Sequence, residues 1–240
     1  MNKILTIIMV LVCGTAFADN AFVSYISKWV DETRVEIAIG KLLSTRFMDD
    51  VSKEYKITED KSYTQSFASY AEKCGIKNGT MDFKVMVINS EIPDEILLPG
   101  GTLFVTKGYL QYASSKEQID FILARNAYLT FKKQPLVVIK HEGMYPRFID
   151  AIRTPEANRS EESVRSLLTL YLSVVSKMNH KQADLQGALL TANPEKTRRS
   201  AVEMLSRFTV KVWPQPPFDT IGLPARIADL ENIKLPENKL

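Results

Sequence analysis

The chain has 240 residues, 45% of them hydrophobic and 25% charged, and its formal net charge is +3. That length carries one domain with a substantial core, and the balanced composition excludes a disordered chain or a repeat array. The small positive charge is dispersed, with no basic stripe interleaved with aromatics, which argues against nucleic acid as a partner.

The N-terminus reads as an export signal. Met1-Asn2-Lys3 gives a short positive end, Ile4 to Cys13 is apolar except for Thr6, and Ala16-Phe17-Ala18 has the A-x-A form of a cleavage site. A signal peptide over residues 1–18, cleaved after Ala18, is therefore expected, with a periplasmic protein as the product. The apolar run is too short for a permanent membrane span. Lipoprotein processing at Cys13 would need a small residue where Val12 stands. Cleavage leaves Cys74 as the single cysteine, so no internal disulfide can form. Burial as a small apolar residue is expected for it.

Residues 19–79 read as an N-terminal helical region. Phe22, Ile26 and Val30 recur at helical spacing, and Ile57-Thr58-Glu59-Asp60 opens a further helix that carries Tyr63, Phe67 and Tyr70 and stops near Cys74-Gly75. Lys77-Asn78-Gly79-Thr80 is a turn signal. Phe83 to Ile88 reads as a strand, and Asn89 to Asp94 as a connection. Gly100-Gly101 marks a tight turn into a second strand, Thr102-Leu103-Phe104-Val105-Thr106, and the two strands are expected to pair in hairpin fashion. Ser114 or Ser115 caps the next helix, with Glu117 in its first turn. Ile119, Ile122, Leu123, Asn126 and Leu129 then fall on one face. Gln134-Pro135 reads as a stop, and Leu136 to Ile139 as a short strand or buried turn. Ser160-Glu161 starts another helix, whose apolar stretch, Val164 to Val175, is expected to be buried. Glu195 to Phe208 forms a helix with Ala201, Val202, Met204, Leu205 and Phe208 facing inward. The prolines between 214 and 224 predict an extended, ordered segment. The fold class expected is α+β, mainly helical around a small sheet.

Three blocks, in order, resemble the HtpX-like and CAAX-prenyl-protease-type zinc metallopeptidases. The first is Leu98-Pro99-Gly100-Gly101, Leu103 to Gly108, Ser115 to Ile119 and Leu123-Ala124. In that family this layout leads into the helix carrying H-E-x-x-H. The second is Ala183-Asp184 with Gly187, similar to the family's E-x-E-A-D-x-x-G. The third is Arg226-Ile227, similar to its closing R-I. The resemblance implies a zincin-type domain over residues 80–240, a zinc cofactor and endopeptidase activity. It places Arg125 and Leu129 at the two histidine positions, Asn126 at the glutamate, His180 at the third ligand and Asp184 at the aspartate that braces the site.

The residues at those positions cannot perform that chemistry. A catalytic zinc needs two histidines one helical turn apart, a third ligand, and a carboxylate beside the first histidine as base. The guanidinium of Arg125 stays protonated, Leu129 has no donor atom, and Asn126 cannot accept a proton. The chain has only two histidines, His141 and His180, so no H-E-x-x-H site exists anywhere in it. His141-Glu142 is followed by Tyr145 where a second histidine would stand, and it reads as an exposed loop. There is no G-x-S-x-G, P-loop or C-x-x-C motif.

The reading is thus a pseudopeptidase, with no catalytic residue and no bound metal. Thr102, Leu103, Phe104, Val105 and Thr106 are expected to serve as a docking edge for a peptide or envelope protein. Arg125 is expected either to pair with Asp184 in place of the metal or to be solvated, and Leu129 to fill the vacated space. An atypical active metallopeptidase and a structural or assembly factor of the cell envelope are the alternatives.

Overall fold

The computed structural model describes residues 32–210 and 222–232. The chain divides into two compact units, 1–36 and 37–240. Of the first, only residues 32–36 are described, and they are helical. The expected signal peptide, its cleavage site and the Phe22–Val30 stretch lie outside the described residues, as does most of the proline-rich segment. Among the described residues, no helix is long and apolar enough to cross a membrane.

The second unit is mainly helical around a four-stranded mixed sheet. It opens with helical residues 37–51, here α1. The strands are β1 (Ile57–Glu59), β2 (Lys84–Ile88), β3 (Glu95–Leu98) and β4 (Thr102–Thr106), in the spatial order β1-β2-β4-β3. β1 runs antiparallel to β2, β2 parallel to β4, and β3 antiparallel to β4. The hairpin expected between β2 and β4 is corrected by this topology. The tight turn at Gly100-Gly101 instead joins β4 to β3, a strand between the expected connection and the turn with no counterpart among the expected elements. Both glycines have positive φ, 77° and 87°, a conformation in which a Cβ would be strained.

Two other expectations change. Ile57 to Glu59 do not begin a helix. The Asp60 carboxylate accepts a hydrogen bond from the Tyr63 N–H and caps α2 (Lys61–Cys74), so the helix starts only after the cap. The β-branched pair Ile57-Thr58 then stays extended and joins the sheet. The sheet therefore reaches back across the boundary expected at 79/80. Leu136 to Ile139 are helical, within α5 (Gln134–His141), because Pro135 sits in its first turn, where its missing N–H has no helical partner to lose.

The sheet lies between helices. On one face the ring of Phe47, from α1, packs on Phe104 with centroids 4.6 Å apart. On the other, the Thr64 hydroxyl of α2 accepts from the Val85 N–H, and Phe67 meets Phe83 edge-on. α4 (Lys116–Phe131) packs against α2 and is the centre of the unit. Ser115 caps it, as the sequence indicates. α3 (Lys107–Tyr112), α9 (Pro194–Val210) and α10 (Leu223–Asn232) gather around it, and Tyr109, Phe121, Ile122, Met204, Leu205 and Phe208 form their shared core. α6 (Tyr145–Arg153) and α7 (Glu161–Leu172) follow α5, and Leu167, Leu168 and Tyr171 of α7 are buried as expected.

α8 (His180–Leu189) crosses α4 at very short range. A Cβ on Gly187 would lie 2.8 Å from Arg125 Cβ and 3.0 Å from its Cα and N. Gly-to-Ala inside a helix ordinarily gains about 1 kcal/mol. Here the contact is with backbone and cannot relax, so Gly187→Ala should instead destabilise by roughly 1–3 kcal/mol. A fall in the denaturant midpoint at unchanged m-value is the expected result.

Candidate functional site

The close crossing of α4 and α8 brings together charged residues from distant parts of the chain. Arg125, on α4, is fully buried at 0% exposure. Its Nε donates to Asp184 Oδ1 on α8 at 3.0 Å, and its guanidinium also donates to the Glu95 carboxylate on β3. A third bond runs from Nη2 to His180 Nδ1 at 2.8 Å. A guanidinium has no acceptor, so Nδ1 must accept, which puts the ring proton on Nε2.

The carboxylates are held from a second side. Arg226, on α10, takes Asp184 with two parallel bonds, Nε to Oδ2 at 2.6 Å and Nη2 to Oδ1 at 3.0 Å. This is the planar fork that makes arginine–carboxylate pairs directional. Asn126 donates from Nδ2 to Glu95 Oε2 at 3.0 Å and to the Ile122 carbonyl at 2.9 Å. Glu95, Asp184 and Arg226 are all buried. Two arginines face two carboxylates, so the cluster is formally neutral, which is what permits four ionised groups to be buried together.

Every residue at the expected metal and base positions thus lies at one place. Of the two readings open for Arg125, the ion pair with Asp184 is present, and the solvated one is corrected by complete burial. Leu129 is buried and borders a cavity of about 20 Å³ beside Glu95, Asn126, Val175 and His180. That space is the size of one water molecule. The cluster cannot hold zinc, because its centre is a permanent cation surrounded by acceptors already bonded to it. Among the described residues, no three His, Cys, Asp or Glu side chains converge as metal ligands.

Two members were not singled out from the sequence as parts of a site. Glu95 escaped notice because β3 has no alternation; a lone carboxylate opening the apolar run Ile96-Leu97-Leu98 was its only signal. Arg226 stood in a matching block but had no role until Asp184 was seen beside it.

The docking edge expected at Thr102–Thr106 is corrected. β4 lies inside the sheet, paired with β2 on one side and β3 on the other, so it offers no free ladder groups. β3, outside it, is buried along its length, and the Tyr171 hydroxyl of α7 donates to the Leu97 carbonyl. The side of the sheet next to the cluster is therefore closed by α7.

The remaining candidates carry no chemistry. His141 ends α5 on the surface, 3.1 Å from Glu142, which Lys177 also holds at 2.6 Å. Cys74 is half-buried, and burial pushes its thiol pKa up to about 11, so the thiolate a nucleophile needs is scarce near neutrality. Comparison with known protein families and with curated proteins returns no match for this chain.

Removing one partner from a buried ion cluster leaves an uncompensated charge. Arg125→Met should therefore destabilise the protein by roughly 3–5 kcal/mol. Glu95→Leu should be similarly damaging alone, yet the Arg125→Met/Glu95→Leu double variant should lose much less than the sum, because no buried charge of that pair is then stranded. A double-mutant cycle by urea denaturation checks this, and additive losses would show that the two residues act independently.

Proposed function

We propose that this chain is an exported, non-catalytic relative of the HtpX-like metallopeptidases that binds an extended segment of a peptide or envelope protein without cleaving it. The observation that carries the reading is the buried Arg125–Glu95–Asp184–Arg226 cluster. Two of its members, Arg125 and Asp184, stand where the resemblance places a metal ligand and the brace, with His180 and Asn126 bonded to the cluster, and in this reading a cross-link between elements takes the place of a hydrolytic centre. The A-x-A signal at Ala16-Phe17-Ala18 supports export.

Strand addition is the mode the sheet favours, at β1 rather than at β4. In an antiparallel ladder, alternate residues turn both backbone groups toward the partner. The Lys56 carbonyl accepts from Asn89 N–H, and the Asp60 N–H donates to the Val85 carbonyl. Ile57 and Glu59, of opposite parity, thus turn their N–H and C=O away from β2. Thr58 and Glu59 are exposed. A cleft of about 420 Å³ lies beside this edge, with Met48, Glu59, Lys84 and Met86 among its walls, and gives alternate side chains of an added strand a place to go.

Two measurements test this. Metal analysis of the purified chain, with a casein cleavage assay, should find neither stoichiometric zinc nor metal-dependent hydrolysis; finding both would sink the reading. Glu59→Pro removes an outward N–H without touching the β1–β2 ladder. It should abolish binding of unstructured envelope-derived peptides while leaving the thermal midpoint within a few degrees of the parent.

A further inference from the structure

A second groove, of about 370 Å³, lies at the end of the sheet where β1 begins. Its floor is apolar: Phe47 and Phe104, in ring contact, with Ile88 and Ile96 beside them. Its lip carries two of the large hydrophobic side chains exposed among the described residues, Tyr55 at 37% and Ile92 at 50%. Tyr55 stands just ahead of β1, so the groove is continuous with the strand edge that the proposed peptide would follow.

The charge around this groove has one sign. Asp50, Glu54, Asp94 and Glu95 line it, Glu95 being bonded to Arg125, and no lysine or arginine lines it. Arg46, Lys53 and Arg165 engage Asp50, and Lys107 engages Glu91; Lys56, next to Tyr55 in the chain, is not among the groove's walls. Asp50 is therefore compensated, and its carboxyl is held well below the usual range, chiefly by the hydrogen bond from Arg46. The Glu54 side chain makes no hydrogen bond or ion pair to another described residue, and Asp94 Oδ1 accepts the Glu95 N–H at 2.9 Å. An apolar floor with carboxylates at its rim suits a side chain that is a hydrocarbon stem ending in a cation. The aromatic rings of the floor add to that preference.

We propose that this groove receives a lysine or arginine side chain of the bound peptide, its stem on Phe47, Phe104 and Ile96 and its cationic head toward Glu54. The inference rests on the peptide-binding reading and names the sequence class it selects.

The test uses the full chain and three fluorescein-labelled peptides: Leu-Lys-Leu-Lys-Leu, Leu-Glu-Leu-Glu-Leu and Leu-Gln-Leu-Gln-Leu. Binding is read by anisotropy at 50 mM and 500 mM salt. The lysine peptide should bind at least about fivefold tighter than the glutamine peptide, in keeping with partly exposed charge pairs, and should lose that advantage at high salt. Glu54→Lys should reverse the order of the lysine and glutamate peptides. Ile92→Ser should weaken all three. Both side chains are exposed, so the variants should fold, and a circular-dichroism melt confirms it. If all three peptides bind equally but Glu59→Pro still abolishes binding, strand addition stands and the lysine or arginine preference is overturned. If none binds, both proposals fall.

Discussion

The guanidinium of Arg125 is the constraint around which the rest is arranged. It lies at no measurable exposure in the helix that the whole unit packs against, and it bonds to β3 and twice to α8. Asp184 extends the link to α10 through Arg226. A charge in that position is tolerable only if every partner arrives together. Four elements far apart in sequence are thus fixed relative to one another by directional bonds, where apolar contacts alone would allow them to slide. The gain of such a cluster lies in geometry more than in net stability, because desolvation offsets much of the attraction between its charges.

The same geometry decides the chemistry. A metal centre and this cluster are both cations ringed by acceptors, so both can join helices. They differ in what remains available. A catalytic metal keeps an open position and lowers the pKa of a water bound there. A guanidinium spends its donors on fixed partners and has no empty coordination site. Leu129 and the segment around Val175 leave only a water-sized space next to it. The neutral amide of Asn126 anchors Glu95, where a base would need an unshared lone pair aimed at that space. What this part of the molecule does is hold shape.

The sequence made some of this legible and hid the rest for physical reasons. Ser115 as cap, the strand at Thr102–Thr106 and the buried face of α4 follow from local chemistry, which acts over a few residues and leaves its mark in spacing. The candidate residues Arg125, Asn126, Leu129, His180 and Asp184 do converge, because two helices meet at Gly187. β1 and β3 were missed. Each is short, and neither alternates: β3 is buried on all sides, while β1 is three residues held by pairing alone. The parallel relation of β2 and β4 was missed for the same reason, since a hidden strand between them changes the connection from a hairpin to a crossover. Leu136 to Ile139 misled because Pro135 reads as a break, whereas at a helix start it is favoured.

The two sides of the sheet bring these threads together. On the side of the cluster, α7 closes the outer strand, with Tyr171 bonded to the Leu97 carbonyl. A peptide cannot reach the Leu97 carbonyl there without displacing the buried Tyr171 side chain. On the far side, β1 keeps the outward groups of Ile57 and Glu59, flanked by clefts at both of its ends. Exposed edges of this kind are ordinarily blunted by shortness and charge to prevent unwanted pairing. β1 is short, and Lys56 and Glu59 give it charge. Backbone addition to so few residues would be weak by itself. If a peptide adds to β1 as proposed, the ladder to Ile57 and Glu59 anchors it, and side chains seated in the flanking clefts add the selectivity that so short a strand cannot supply.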